Sequence, residues 1–299
     1  MSIKTLFLET RPQFLLLSPI LVFLGMSIGL MGGTFNTLHY ILANIGLILL
    51  HASVNTLNDY NDYKSGIDLK AKRTPFSGGS GILPAGMLTP RAVLWLGLIT
   101  FLLAVPIGIY FMVIYGWQLL PLFLLGAMFV LLYTSHITKI GGGLAEIAAG
   151  LGLGTLPVFG TYILMGGKFD WVALYASIPS GFLVFNLLLL NEFPDSDADK
   201  SAKRLTIPIM LGHKSAGVIY STLVMMTYTW IALGVIFDLM PVWTLLAVLT
   251  FPIGLKAMKG SLTFKTLDEL VPAQGANVMI VLLIQLLMGV GYLIAYLTK

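Results

Sequence analysis

The sequence predicts an all-α, polytopic membrane protein in which nine transmembrane helices surround a central cavity and the N-terminus is cytoplasmic. Three observations predict it. Hydrophobic residues make up 57% of the 299-residue chain and charged ones only 10%, with a mean hydropathy of +0.92, far from the composition of a soluble domain. Apolar runs of roughly the 20 residues that cross a bilayer recur nine times. Lys and Arg fall almost entirely on alternate connections between those runs.

The runs are 13–31, 38–57, 91–114, 117–135, 142–164, 171–190, 214–237, 241–258 and 274–297. The first, with Phe14 near its start, reads as a span and not a cleavable leader, because further spans follow it instead of a soluble domain. The second runs directly into a stretch rich in Asn and Asp. The third, fifth and sixth carry Pro106, Pro157 and Pro179, which membrane helices tolerate when neighbours satisfy the freed carbonyls. With the N-terminus inside, every one of the 17 Lys and Arg except Lys168 and Lys299 lies on the inner side. A missed span would scramble that alternation. The nine runs form a single membrane domain over residues 1–299, placed in the cell inner or plasma membrane with its long loops cytoplasmic. No cysteine is present, which excludes disulfides, zinc thiolates, iron–sulfur clusters and thiol nucleophiles. The net charge of +4 says little as a sum; no nucleic-acid partner and no obligate protein partner are inferred, and membrane lipid is the expected surround.

Two inner loops, about 59–90 and 192–213, are long and polar, and function concentrates in such loops. The first opens with "NTLNDYNDYKSGID", Asn55 to Asp68; the second follows "LLLLNEFPDSDADKSAKR", Leu187 to Arg204. If helix continues into the first, the 4, 3, 4 spacing of His51, Asn55, Asn58 and Asp62 puts all four on one face. Asn191, Asp195 and Asp199 share a face in the second, with Asp197 turned to solvent. Pro194 is expected to kink or restart the helix just before them.

Ionisable groups at a membrane boundary suggest function. Hard oxygen ligands in this pattern suit Mg²⁺, which takes one or two carboxylates with substrate phosphate and keeps several waters. Two such faces across a cavity could hold two Mg²⁺ ions bridging a diphosphate. Lys70, Lys72 and Arg73 follow the first cluster, Lys200, Lys203 and Arg204 the second, and Lys139 lies in another inner loop; such cations bind phosphate oxygens. The ligand is then a diphosphate ester, its tail a hydrocarbon. Solvated helix ends explain either cluster taken alone; two clusters with the same spacing on one side argue against that. A lone His51 on an apolar helix reads first as a hydrogen-bonded packing residue. Asp170, Asp238, Asp268 and Glu269 read as loop charges, whereas Glu146, inside the fifth run, needs a partner or a role.

These residues also carry a resemblance. "NDYNDYKSGID" resembles the first aspartate-rich motif of the UbiA superfamily of intramembrane prenyltransferases, and "NEFPDSDADKSAKRLT" resembles the second. "LYTSHITKIGGGLAEI" is similar to a segment of the menaquinone-pathway branch, the 1,4-dihydroxy-2-naphthoate polyprenyltransferase-like proteins. The resemblance covers essentially the whole chain. It implies Mg²⁺-dependent transfer of a polyprenyl group from an allylic prenyl diphosphate to an aromatic quinone precursor, releasing diphosphate. Position by position it implies metal binding by Asn58, Asp62 and Asp68 and by Asp195 and Asp199, with Asn191 one turn before. Asp62, Asp195, Asp199 and Tyr133 would be catalytic. Lys203 and Arg204 match the basic pair that helps hold diphosphate, and Lys139 the polar position after the fourth run; Lys70, Lys72 and Arg73 would assist. Tyr60, Tyr63 and Tyr133 could face an allylic cation, and Asn55 and Glu146 the acceptor. The chain departs from the family at Ala202, usually Gly, at Glu192, where this branch often has Asn, and at "GGLAE" in place of a Gly-Leu-Gly-Glu run. The acceptor therefore stays open between 1,4-dihydroxy-2-naphthoate and a phenazine, a hydroxybenzoate or a glycerol phosphate. A cation-coupled transporter is the alternative from another class.

Overall fold

A computed structural model describes residues 2–299, which are helical with no strand among them. A short helix α1 (Ile3–Glu9) precedes nine apolar helices: α2 (Pro12–Met31), α3 (Thr37–Ser65), α4 (Pro90–Tyr115), α5 (Trp117–Leu132), α6 (Leu144–Leu164), α7 (Trp171–Ser201), α8 (Ile207–Ile236), α9 (Val242–Thr263) and α10 (Leu267–Leu297). Eight of these, all but α5, are long and apolar enough to cross a membrane. At about 24 Å, α5 is shorter than the roughly 30 Å hydrocarbon core. It ends at Leu132, short of the expected boundary, and in the turn that follows Thr138 Oγ1 donates to the Thr134 carbonyl. Three successive glycines, Gly141 to Gly143, then take left-handed conformations.

Hydropathy misplaced several helix ends for a simple reason: the backbone needs no lipid to stay helical. α3 continues through its Asn/Asp stretch to Ser65, where Gly66 at φ +80° closes it. α7 likewise runs on to Ser201. The helix does not restart at Pro194: α7 is continuous through both Pro179 and Pro194. Each proline removes the N–H that would serve the carbonyl four residues earlier. For Pro179 that carbonyl belongs to Tyr175, and it accepts from Trp230 Nε1 of α8 at 3.0 Å. For Pro194 it is Leu190, which accepts from Gln274 Nε2 of α10 at 3.4 Å. Both neighbours thus mend α7 from outside. Trp230→Phe, which keeps the ring over Tyr175, is expected to lower stability by about 1–3 kcal/mol by stranding that carbonyl. Adding Pro179→Ala restores a backbone donor, so thermal unfolding should show a smaller loss in that background.

Small residues let α6 approach α7. A Cβ on Gly150 would lie 2.7 Å from the Gly181 carbonyl oxygen, and one on Gly154 2.5 Å from that of Ser180; only glycine permits this backbone contact. α6 widens into a π turn at Leu151–Thr155, one turn before Pro157. The main core joins α2, α7, α8 and α10 through residues such as Leu24, Leu183, Tyr220, Ile280 and Ile284. A second core joins α2, α3 and α4 through Val22, Ala43 and Phe111. The cavity described next opens between the two.

Candidate active site

One cavity of about 290 Å³ is lined by His51, Asn55, Asn58 and Asp62 of α3 and by Asn191, Asp195 and Asp199 of α7. The helical continuation of both Asn/Asp stretches brings their polar faces to the same space. Asp68 and Arg204, from the loops after each helix, also line it. The deeper wall is apolar, built from Leu50, Val54, Phe129, Leu153, Val184 and Leu188.

Arg204 ties the two faces together. Lys203 adopts φ +63° just after α7 and reverses the chain. The Arg204 N–H then bonds the Asp199 carbonyl at 3.2 Å, and its side chain turns inward. Nη1 donates to Asp199 Oδ1 at 2.8 Å, and Nη2 donates to Asp62 Oδ1. Burial alone favours a neutral guanidine, but the Asp62 and Asp199 carboxylates outweigh it and push the Arg204 pKa above its ordinary value.

A glycine-rich loop supplies a third wall. Gly78, Gly79 and Gly81 all have positive φ, which glycine adopts without strain. The Gly78 N–H donates to Asp195 Oδ2 at 3.2 Å, and the Ser80 N–H donates to Asp59 Oδ2 at 2.8 Å. A Cβ at Gly79 would sit 2.9 Å from Asp68 Oδ1, so this carboxylate lies flat on the loop. The Ser80 hydroxyl donates to Glu9 Oε2 at 2.8 Å, linking the loop to α1. Burial, with the charges of Asp59 and Asp62, pushes the Asp68 carboxyl up to about 8. Burial and Asp59 together raise Glu9 to about 7.

The other expected site residues divide cleanly. Tyr133 lines the cavity. Asn58 Nδ2 donates to Thr134 Oγ1 and Asn55 Nδ2 to the Thr10 carbonyl, each at 3.0 Å. Asp197 is exposed. Tyr60 and Tyr63 face elsewhere, packing on Ile82, Leu83, Leu88 and Val93. Lys70, Lys72, Arg73, Lys139 and Lys203 are exposed and do not line the cavity; long basic stems keep their charged ends in water. Glu146 is fully buried beside Glu192, and its Oε1 accepts the Ile207 N–H at 2.7 Å, the first turn of α8. That is its partner. His51 is hydrogen-bonded to Ser18, as a packing residue would be, but it also lines the cavity.

Five contributors were missed by side-chain patterns: Glu9, Arg11, Asp59, Glu192 and the loop Ser77–Gly81. The run "SGGSG" was the available signal, because successive glycines commonly present backbone N–H groups to anions. Among the described residues no three acidic, His or Cys groups cluster tightly enough to hold a metal unaided. Asp195 Oδ1 is nevertheless buried without a partner, and an oxygen-only set of carboxylates and amides suits Mg²⁺ completed by water and phosphate.

The profile of the UbiA prenyltransferase family matches residues 16–273. A 1,4-dihydroxy-2-naphthoate octaprenyltransferase of Bacillus subtilis is 25% identical over 96% of this chain and 91% of its own. The Haemophilus influenzae protein of the same name is 28% identical over 95% of this chain and 94% of its own. A solved UbiA homolog from Archaeoglobus fulgidus bound to GPP and Mg²⁺ superposes with a TM-score of 0.62, covering 99% of this chain and 100% of that one at 13% identity.

Proposed function

The chain belongs to the UbiA prenyltransferase family and is an integral membrane prenyltransferase; from that premise we propose that it catalyses Mg²⁺-dependent transfer of a polyprenyl group from an allylic diphosphate to 1,4-dihydroxy-2-naphthoate. The observation that carries this reading is the single cavity into which both carboxylate faces open, bridged by Arg204 and backed by an apolar wall. Two relatives that align nearly end to end bear the name of this activity, and the Archaeoglobus homolog was solved with a prenyl diphosphate and Mg²⁺. A phenazine, a hydroxybenzoate or a glycerol phosphate is the alternative acceptor.

Asp62, Asp195 and Asp199 would hold two Mg²⁺ ions, with Asn58, Asp68 and Asn191 completing the set. Bound there, the ions neutralise charge that develops on the departing diphosphate. Arg204 holds phosphate oxygens alongside; Lys70, Lys72, Arg73, Lys139 and Lys203 supply a positive rim that draws in the anionic head. The C1–O bond breaks with its electron pair leaving on diphosphate. Tyr133 faces the allylic cation, and the apolar wall keeps water from quenching it. The ring carbon bonds C1, and the ring then loses carbon dioxide from its carboxylate, or a proton where no carboxylate stands at that carbon. Asn55 faces the acceptor from the cavity wall, while Tyr60 and Tyr63 support the site from outside by packing the loop and Glu146 by anchoring α8.

The same reading makes residues 1–299 one domain with nine spans, α5 and the residues to 135 forming the short one. The N-terminus and the site loops face the cytoplasm across the inner or plasma membrane. No nucleic-acid or obligate protein partner enters the account.

The test is prenyl transfer by the full chain in nanodiscs, with each candidate acceptor supplied separately. A prenylated naphthalene and released carbon dioxide are expected with dihydroxynaphthoate; exclusive use of glycerol phosphate would overturn the acceptor. A cation held at Asp68 displaces the proton that this group keeps below about pH 8. Mg²⁺ affinity should therefore rise with pH up to that point, by up to about tenfold per unit. Titration calorimetry at about pH 6 and about pH 8 measures it, and equal affinities would contradict the assignment of Asp68.

A further inference from the structure

Around His51 the cavity wall is mostly apolar, and Arg11 and Asn55 are the polar side chains that share it. His51 lies one turn beyond Asn55 on the face of α3 that carries Asn58 and Asp62, and it is only 4% exposed. Its Nδ1 is 3.0 Å from Ser18 Oγ of α2, which fixes the ring. Nε2 has no partner among the described residues, and the imidazole borders the cavity. Phe14, Leu17, Leu47, Leu50 and Val54 border the same region.

Distance says what His51 can meet. It precedes Asp62 by eleven residues, about 16 Å along the helix, and Asn58 by seven, about 10 Å. A diphosphate gripped at Asp62 and Asp195 is out of its reach. An aromatic ring whose reacting carbon meets C1 near Asn58 can turn a hydroxyl two ring positions away toward His51. The polyprenyl tail has no polar atom to offer, whereas a ring hydroxyl pairs the open nitrogen. A polar atom on the cavity wall is left unpaired when an apolar group fills the space beside it, which is unfavourable, and a site built to bond a hydroxyl strongly rejects the analogue without it.

We infer that His51 recognises the acceptor: Nε2 hydrogen-bonds the ring hydroxyl that is not adjacent to the reacting carbon, while Ser18 positions the imidazole. The inference deepens the proposed acceptor class, a hydroxylated arene, and rests on it. His51 touches substrate; Ser18 acts through His51.

The experiment compares His51→Phe, His51→Gln and Ser18→Ala with the wild type, full length in nanodiscs, on whichever hydroxyarene the wild type prenylates and on its methyl ether. His51→Phe should raise the acceptor KM about tenfold or more and erase the preference for hydroxyl over ether. The prenyl diphosphate KM should stay within about twofold. His51→Gln should recover part of the preference and Ser18→Ala lose part of it. If melting curves show that His51→Phe does not fold, those two variants carry the test. An unchanged acceptor KM and ether preference, or a raised prenyl diphosphate KM instead, overturns the role of His51 and leaves the acceptor class standing. A wild type that prenylates no hydroxyarene overturns both.

Discussion

Asp62→Ala and Asp195→Ala are each expected to reduce prenyl transfer by about a thousandfold or more, which corresponds to about 4 kcal/mol of transition-state stabilisation. The two residues come from helices separated by more than a hundred positions, yet they line one cavity. Asp62 is held by Arg204, and Asp195 by the Gly78 N–H. Removing either leaves the opposite face intact but unable to close on a diphosphate from both sides. The loss should appear in the chemical step as well as in donor binding, because charge on the departing diphosphate grows as the bond breaks. Steady-state rates with labelled donor, alongside melting curves showing the variants folded, measure it. Activity within about tenfold of wild type in both variants would remove the carboxylates from the mechanism.

Arg204→Leu is expected to destabilise the protein by about 3–5 kcal/mol, because it leaves Asp62 and Asp199 buried without their shared cation. Leu fills much of the space, so the loss reports charge and not a cavity. Arg204→Lys should recover only part of it, since a single ammonium cannot present two N–H groups to carboxylates on different helices. Added Mg²⁺ should raise the melting temperature of Arg204→Leu more than that of the wild type, because a divalent ion can neutralise the same pair. Equal shifts would mean the carboxylates do not bind the ion. Transfer activity should fall along with stability if the guanidinium also holds the diphosphate as proposed.

Much of this arrangement could be read from the chain. Apolar runs located the helices because crossing lipid demands length. The i, i+4 spacing of Asn58 and Asp62, and of Asn191, Asp195 and Asp199, exposed the shared faces because a helix enforces that geometry. Helix ends were less legible: hydropathy falls at Asn58 and Asn191, while backbone hydrogen bonding continues to Ser65 and Ser201. Pro194 looked like a break because the sequence does not reveal that Gln274, eighty positions later, takes the orphaned carbonyl. The glycine loop escaped notice because its donors are backbone N–H groups, which no side-chain pattern displays. Arg204 stood out from the other basic residues only in three dimensions, where the left-handed turn at Lys203 aims it inward. The partner of Glu146, the N–H of Ile207, is equally remote in sequence.

On the proposed mechanism α3 and α7 form one diphosphate site and not two neighbouring ones. A double-mutant cycle of Asp62→Asn and Asp195→Asn on Mg²⁺-dependent prenyl diphosphate binding distinguishes the two. Each single variant should lose most of the affinity, and the double variant should lose little more than either, within about threefold, since residues acting as a unit are strongly non-additive. Losses that simply add in free energy would mean the two carboxylates act independently, and the joint site would not exist.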